Sequence, residues 1–557
     1  MIRGQAKNPR HHPLRDPSVD GIGVSGRTAR FKKRRDSPRK PERGRIRGWK
    51  TAGTAGILLL AFLAVVVIAQ RWHTREEPFE CDIASHAVIA HEMLSGRDLY
   101  SDLWDSKPPA IWVTYAVAEL LVGYGPNQVL ALGILAALAT LGAVFAAGMT
   151  QGGRTAAIVG AVAWTVICSD LWLQANQPNI EVFINAFMAW ALTLTLGFRG
   201  HSFEWKRSVI IGFLFAIASL YKQVTVVMVL ALAIAHVMAP PGGKEYRRRA
   251  LGQVGLWLGI GVGTWALVDL YFVATGRGSI FWATMLEYPR YYSTSFGGSM
   301  VGNLLAGLRF SSIPTLWYTS VWPVAIVAAL GAMFGLVSGP RRSWLLVLAC
   351  LLGAQVAISL PGRFYAHYYQ LLLPGFAIAA GLVAGIVFDR LRPGLRWLPQ
   401  LGAGIALMAT MIFTSSAYKL SAEEWSITKY NGAQFVISRE LAVELHQKLE
   451  EDEFYVWGDN PELYFWTQRR PPTGIIWSSN ALDGPLAQKF SRRIAEDLER
   501  NPPSVLVINM LHVARPAGNP VIDWVIPRYE VVTSDTERNG LFAVAIHRDS
   551  DLLQSWN

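Results

Sequence analysis

The chain has 557 residues, of which 52% are hydrophobic, 21 are tryptophan and only 17% are charged. A soluble chain of this length divides into several domains with polar surfaces, whereas runs of about 20 apolar residues mark a polytopic membrane protein. The net charge of +12 sits in the first fifty residues, which hold 16 Lys and Arg against 4 Asp and Glu and leave 36 of each sign in the remainder.

That leader ends in FKKRRDSPRKPERGRIRGWK and lacks apolar periodicity, so residues 1–50 read as a disordered tail. A basic run suits nucleic acid or anionic lipid; beside an apolar segment the cytoplasmic topology anchor is the favoured reading, and no nucleic-acid partner is expected. The next stretch, TAGTAGILLLAFLAVVVIAQ, follows too long a leader for a signal peptide and has no A-x-A site, so it reads as a retained span. Further candidate spans lie at about 126–149, 155–171, 182–197, 208–220, 224–239, 251–274, 316–337, 343–359, 368–388 and 398–416, eleven with the first. The apolar piece 109–124 is short and carries Glu119. If it does not cross, Arg154, Arg199/Lys206/Arg207, Lys244/Arg247/Arg248/Arg249, Arg341/Arg342 and Arg390/Arg392/Arg396 all fall on the side of the basic tail. Lys/Arg bias in short loops sets orientation, so 109–124 reads as an interfacial helix outside. The segments 71–125, 172–181, 220–224, 275–315 and 361–369 then face outward, with 418–557 beyond the last span. This C-terminal part is polar and alternates a helical stretch (about 433–450) with strand-like EFYVW, SVLVIN, YEVVTSD and LFAVAIH, which suggests a small α/β domain. Cys81, Cys168 and Cys350 make no disulfide framework or metal-ligand spacing.

The outer stretch 79–109, FECDIASHAVIAHEMLSGRDLYSDLWDSKPP, is unusually polar. Ile83, Ala87, Ala90 and Leu94 share one helical face, Gly96 suits the helix end, and Asp82 stands where a carboxylate caps free N–H groups. Lys107 precedes Pro108 and is pushed towards extended backbone, and Pro109 opens the interfacial helix. One carboxylate and one ammonium near lipid headgroups would suit a reaction in which an acid or base handles a hydroxyl and a cation holds a lipid phosphate.

Asp82, then IAHEMLSG (89–96) and LYSDLWDSKPP (99–109) before an apolar helix, resembles the first outer loop of GT-C fold glycosyltransferases. The similarity is closest to the bacterial branch related to protein O-mannosyltransferases and to aminoarabinose transferase of lipid A. QPNIEVF (177–183), LYKQ (220–223), RFYAHYYQLLLPGFA (363–377) and VWGDNPELYFWTQRRPP (456–472) continue it in the family's order. The resemblance implies an integral-membrane enzyme of the bacterial cytoplasmic membrane, with its N-terminus cytoplasmic and its C-terminal domain extracytoplasmic. Its fold class would be an all-α polytopic bundle of about eleven spans with interfacial helices in the first outer loop (51–417), plus the α/β domain at 418–557. Such an enzyme takes a sugar from a polyprenyl-phosphate carrier and passes it, with inversion, to a lipid, glycan or protein hydroxyl.

By the same resemblance Asp82 matches the catalytic carboxylate and Lys107 a residue near the donor phosphate. The family often carries adjacent Asp-Glu; here Ile83 follows Asp82 and Glu80 precedes it, leaving open whether Glu80 shares the role of an acid. Glu181 reads as a substrate or metal contact or else as a helix cap or ion pair. Lys222 reads as a phosphate ligand or as a snorkelling lysine. Arg363 and His367 are candidates for the donor phosphate, whereas Tyr368 and Tyr369 read as interfacial belt aromatics. Asp105 would orient Lys107. The 275–315 segment reads as a flexible covering loop. A divalent cation could neutralise the departing phosphate, with no ligand set legible. The competing reading is a transporter or flippase of lipid-linked sugars, which would call for internal repeats and mid-membrane charges; neither is visible in this chain.

Overall fold

The computed structural model describes residues 53–200, 202–295, 298–309, 319–449, 454–510, 518–533 and 540–556. The basic leader at 1–50 lies outside them. The chain first builds a helical bundle. Its opening helices are α1 (Gly53–His73), α2 (Cys81–Leu94), α3 (Ala110–Val122), α4 (Pro126–Gln151) and α5 (Gly153–Ile167). They continue with α6 (Ile180–Leu196), α7 (Trp205–Tyr221), α8 (Thr225–Met238) and α9 (Arg247–Ala274). Helices Trp322–Ser338, Arg341–Ser359, Leu373–Arg390 and Leu398–Thr414 complete it. Among the described residues, five helical segments are long and apolar enough to cross a membrane: Gly53–His73, Pro126–Gln151, Lys244–Ala274, Arg341–Ser359 and Ala366–Arg390. The chain is therefore a multi-pass membrane protein. Several other expected spans are occupied by shorter apolar helices, such as Gly153–Ile167 and Thr225–Met238. At 1.5 Å per residue these fall short of a hydrocarbon core of about 30 Å.

Small residues let these helices approach closely. A Cβ on Gly381 would strike the Ala156 carbonyl, and one on Gly148 would strike the Ala157 backbone. Contacts at the helix ends separate two faces of the bundle. At one, Gly53 lies against the Arg154 guanidinium, and Gln151 donates to the Leu196 carbonyl at 3.0 Å. There too Arg249 donates to Gly200 O at 2.9 Å and Arg342 to Thr195 O at 2.8 Å. At the other, Arg71 donates to Cys168 O at 2.9 Å, and the acidic and basic residues of the 79–109 stretch gather.

The expected flexible loop at 275–315 is largely helical where it is described, with Gly278–Trp282, Tyr288–Thr294 and Met300–Leu308 joined in part by one π-helical turn, Ala283–Glu287. Its apolar residues have somewhere to go: Phe281 stacks on Phe272 at 4.5 Å, and Tyr288 meets Trp104 at 5.1 Å.

After the bundle, Ser421 and Glu424 form a capping box that starts helix Ala422–Tyr430, and Asn431 at φ +52° stops it. Helix Gln434–Lys448 leads into β1 (Phe454–Trp457). With β2 (Val505–Asn509), β3 (Tyr529–Thr533) and β4 (Phe542–His547) it makes a four-stranded sheet of order β1-β2-β4-β3. β1 and β2 are parallel, with Phe454 opposite Val505, while β4 runs antiparallel to both β2 and β3. The strands β1, β2 and β4 are buried almost throughout, as expected of a sheet with helices against it, and the edge strand β3 is partly exposed. Helix Ala487–Arg500 buries Phe490, Ile494 and Leu498 on one face.

Candidate functional site

α2 carries the first site residue. Its expected one-sided packing is only part of what is found: Ile83 through Ala90 are all buried, while Leu94 is exposed. Helix Glu462–Thr467 of the C-terminal part packs on α2, which is why its second face is covered as well. The N-cap position belongs to Glu80, and its side chain makes no cap bond. Asp82 is not a helix cap either: its Oδ1 accepts from Lys107 Nζ at 3.0 Å. Lys107 Nζ also reaches Asp105 Oδ2 at 3.1 Å, so one ammonium lies between two carboxylates. The loop that presents it is tightly held. Tyr100, at φ +70°, is a strained conformation for a bulky residue, and its hydroxyl donates to the Lys107 carbonyl at 2.7 Å.

Electrostatics follow from that geometry. Burial pushes the Asp82 carboxyl up, but Lys107, with His86 and His367 in support, outweighs it and holds Asp82 below the usual carboxylate range. Burial pulls Lys107 down, and Asp105 and Asp82 overcome it, leaving the ammonium above its ordinary value. The lowered acid contributes stability above about pH 4, lost as pH falls through its folded value; the raised base contributes below about pH 10, lost only as pH rises further. Asp82 and Lys107 are therefore both ionised throughout the neutral range. Glu80 is turned elsewhere: its Oε1 accepts from Asn179 Nδ2 at 2.7 Å, and burial, with a contribution from Asp82, keeps its carboxyl above the usual range.

Glu181 and Lys222 form a second pair at the same end of the bundle. Lys222 Nζ donates to Glu181 Oε1 at 2.9 Å and sits 3.4 Å from the centre of the Tyr368 ring. Glu181 is 1% exposed while Lys222 is half-buried, so a partly exposed ammonium pairs with a buried carboxylate. Tyr368 and Tyr369 are 6% and 1% exposed, so the expectation of belt aromatics fails. Both are drawn inward because the 3₁₀ turn Ala366–Leu372 runs into the bundle, with Gln370 donating to Leu173 O at 2.9 Å. His367 Nδ1 lies 3.1 Å from Gln174 Oε1, within the electrostatic reach of Asp82 and Glu80. Tyr368 in turn lies in the field of both Glu181 and Asp82. Arg363 stands over the Tyr292 ring at 4.3 Å and donates to Ser295 Oγ at 2.7 Å, and Tyr292 adjoins Tyr368. Asp82, Lys107, Asp105, Glu181, Lys222 and His367 thus share one neighbourhood, which Arg363 enters through Tyr292.

Among the described residues, no group of three or more His, Cys, Asp or Glu side chains is placed to hold a metal ion. Lys107 fills the position between Asp82 and Asp105, so those carboxylates do not fit a divalent cation as they stand.

Other contributors had little or no local signal. Trp477, from the C-terminal part of the chain, places its ring 5.5 Å from Lys107 Nζ. Glu77, Asn176 and Lys429 form a buried knot: Lys429 Nζ meets Glu77 Oε1 at 2.5 Å, and Asn176 Nδ2 donates to Glu77 Oε2 at 2.6 Å. Glu77 beside the first span was a visible acid, but nothing near Lys429 in sequence names its partner.

No family model matches the chain, and no curated protein does. Solved structures do. The chain is similar to ArnT from Cupriavidus metallidurans bound to undecaprenyl phosphate, at 18% identity and TM-score 0.57, covering 90% of this chain and 99% of that one. The apo state of the same protein matches at 17% identity and TM-score 0.55, over 89% and 98%. Archaeal oligosaccharyltransferase AglB from Archaeoglobus fulgidus, in complex with an inhibitory peptide and a dolichol-phosphate, matches at 12% identity and TM-score 0.51, over 89% of this chain and 75% of that one. At these identities the likeness is one of fold.

Proposed function

We propose that this chain, whose fold is the GT-C fold, is an integral-membrane glycosyltransferase that moves a sugar from a polyprenyl-phosphate carrier to an acceptor hydroxyl, with inversion, outside the cytoplasm. The observation that carries the proposal is the placement of Lys107 between Asp82 and Asp105, with the Glu181–Lys222 pair, His367 and Arg363 at the same end of the bundle. The ArnT and AglB structures support a lipid-phosphate donor, since their bound lipids are undecaprenyl phosphate and dolichol-phosphate. In this reading the bundle has eleven spans in a bacterial cytoplasmic membrane, and α3 lies at the outer interface. The basic ends face the cytoplasm with the N-terminus, and the site and the domain from residue 418 onward face out.

The chemistry needs a base, a stabilised leaving group and an order of events. Asp82 accepts the proton of the acceptor hydroxyl as its oxygen attacks the anomeric carbon. The bond from that carbon to the phosphate oxygen breaks, and its electron pair leaves with the polyprenyl phosphate. Lys107, with Lys222 and Arg363, holds that charge. Resting Asp82 is a weak base because Lys107 depresses it. A phosphate that draws Lys107 towards itself relieves this pairing, so donor binding strengthens the base at the moment it is needed, while Asp105 keeps the ammonium in place. Glu80, facing Asn179, serves as a second acid only in shaping the field at Asp82.

The test is to reconstitute the full chain in vesicles with radiolabelled polyprenyl-phosphate sugars and envelope extract, then follow label into acceptor. Transfer by the wild type and its loss in Asp82→Asn support the proposal. Movement of the carrier across the bilayer without sugar transfer would instead favour a flippase.

A further inference from the structure

The segment 470–480 of the C-terminal domain is seated on the loop that carries Lys107. Trp104 N donates to Gly474 O at 3.0 Å, Arg97 Nη1 donates to Pro471 O at 3.0 Å, and Arg470 pairs with Glu92 at 2.9 Å. Tyr288 adds a hydroxyl bond to Asn480 Oδ1 at 2.8 Å. Between these anchors the chain presents Trp477, half-buried, with its ring centre 5.5 Å from Lys107 Nζ. In a sugar phosphate the anomeric oxygen is bonded to both the sugar ring and the phosphorus. A group that holds the phosphate therefore has the sugar as an immediate neighbour, and an aromatic face beside that group is within its reach.

We infer that Trp477 is the wall against which the donor's sugar ring packs, so that the C-terminal domain supplies a specificity-determining residue to the site. The inference rests on the reading of Lys107 as the donor-phosphate residue. The C–H faces of a sugar ring and the broad indole bury apolar area together. With that burial lost, about a tenfold weakening is expected on removal of the ring.

The full-length protein in detergent would be titrated with undecaprenyl phosphate carrying mannose, glucose or arabinose, and with undecaprenyl phosphate alone. Trp477→Ala is expected to weaken binding of the sugar-bearing lipids that the wild type prefers by about tenfold, and Trp477→Phe by less, while the bare lipid binds as before. Equal weakening towards bare and sugar-bearing lipid would make Trp477 a mere support for Lys107 and overturn the inference, and so would no change in either variant. A wild-type chain that binds none of these lipids refutes the glycosyltransferase reading itself, and the inference falls with it. The unfolding midpoint of each variant, and Trp477→Phe as the milder change, separate misfolding from lost recognition.

Discussion

Asp82 and Asp105 touch the same ammonium at nearly equal distances, 3.0 and 3.1 Å, which allows a base to be told from a brace. A hydrogen bond to a charged group contributes about 1.5–3 kcal/mol, and the Lys107, Asp82 and Asp105 side chains are 22%, 27% and 5% exposed, so screening trims Asp82's share more than Asp105's. Asp105→Asn should therefore loosen Lys107 and lower kcat/KM by about ten- to a hundredfold, mainly through KM for the donor. Asp82→Asn removes a comparable brace. If Asp82 is also the base, it loses a further factor of about 100 to 10,000, and that part falls on kcat. The assay is steady-state sugar transfer by both variants in reconstituted vesicles, with unchanged unfolding midpoints as the control. Equal losses in the two variants would refute the assignment of Asp82 as the base and leave it as a second brace on Lys107.

The Lys429 and Glu77 side chains are both fully buried, so Lys429→Met should destabilise the chain by about 3–5 kcal/mol by stranding Glu77, and adding Glu77→Gln should restore much of it; thermal unfolding of the purified variants checks both. Burial, eased by bonds from Asn460 and Ser438, pushes the Glu462 carboxyl up to about 7. An acid raised in the fold gives stability that is full below its unfolded pKa of about 4.3 and is lost as pH rises through 7, so stability should drop by about 3 kcal/mol from pH 4 to pH 8 on its account. Glu462→Gln should flatten that slope in unfolding midpoints measured across pH. A Cβ at Gly474 would overlap the Asp102 carbonyl oxygen. Gly474→Ala should therefore lift the 470–480 segment off the Lys107 loop and reduce transfer at least as much as Trp477→Ala, and full activity in that variant would refute the seating.

Local pattern carried a good deal of this architecture. The polar stretch 79–109 holds Asp82, Lys107 and Asp105 within 26 residues, and a Lys before two prolines is conspicuous in an apolar chain. Strand-like runs such as SVLVIN and LFAVAIH mark β2 and β4, because a buried strand writes its apolarity into consecutive residues. What depended on distant packing was not legible. Asp82 looked like a cap because its partner lies 25 residues away, and Tyr368 and Tyr369 looked interfacial because the inward run of the 366–372 turn has no signature of its own. The 275–315 segment reads as loop from its Gly, Ser and Tyr content, yet its described helices are held by Phe272, Trp104 and Asn480. Trp477 stands 370 residues from Lys107, a distance across which one sequence carries no information.

The Glu77–Asn176–Lys429 knot joins residues from three well-separated points of synthesis. Glu77 and Asn176 leave the ribosome early, while their counter-charge emerges only after the last bundle helix. Until then an acid destined for complete burial lacks its cation, and it is easiest to shelter in the protonated form. Maturation of this end of the bundle must accordingly wait for the final quarter of the polypeptide, and a product stopped near residue 415 would retain its helices but expose an unfinished seam to quality-control proteases.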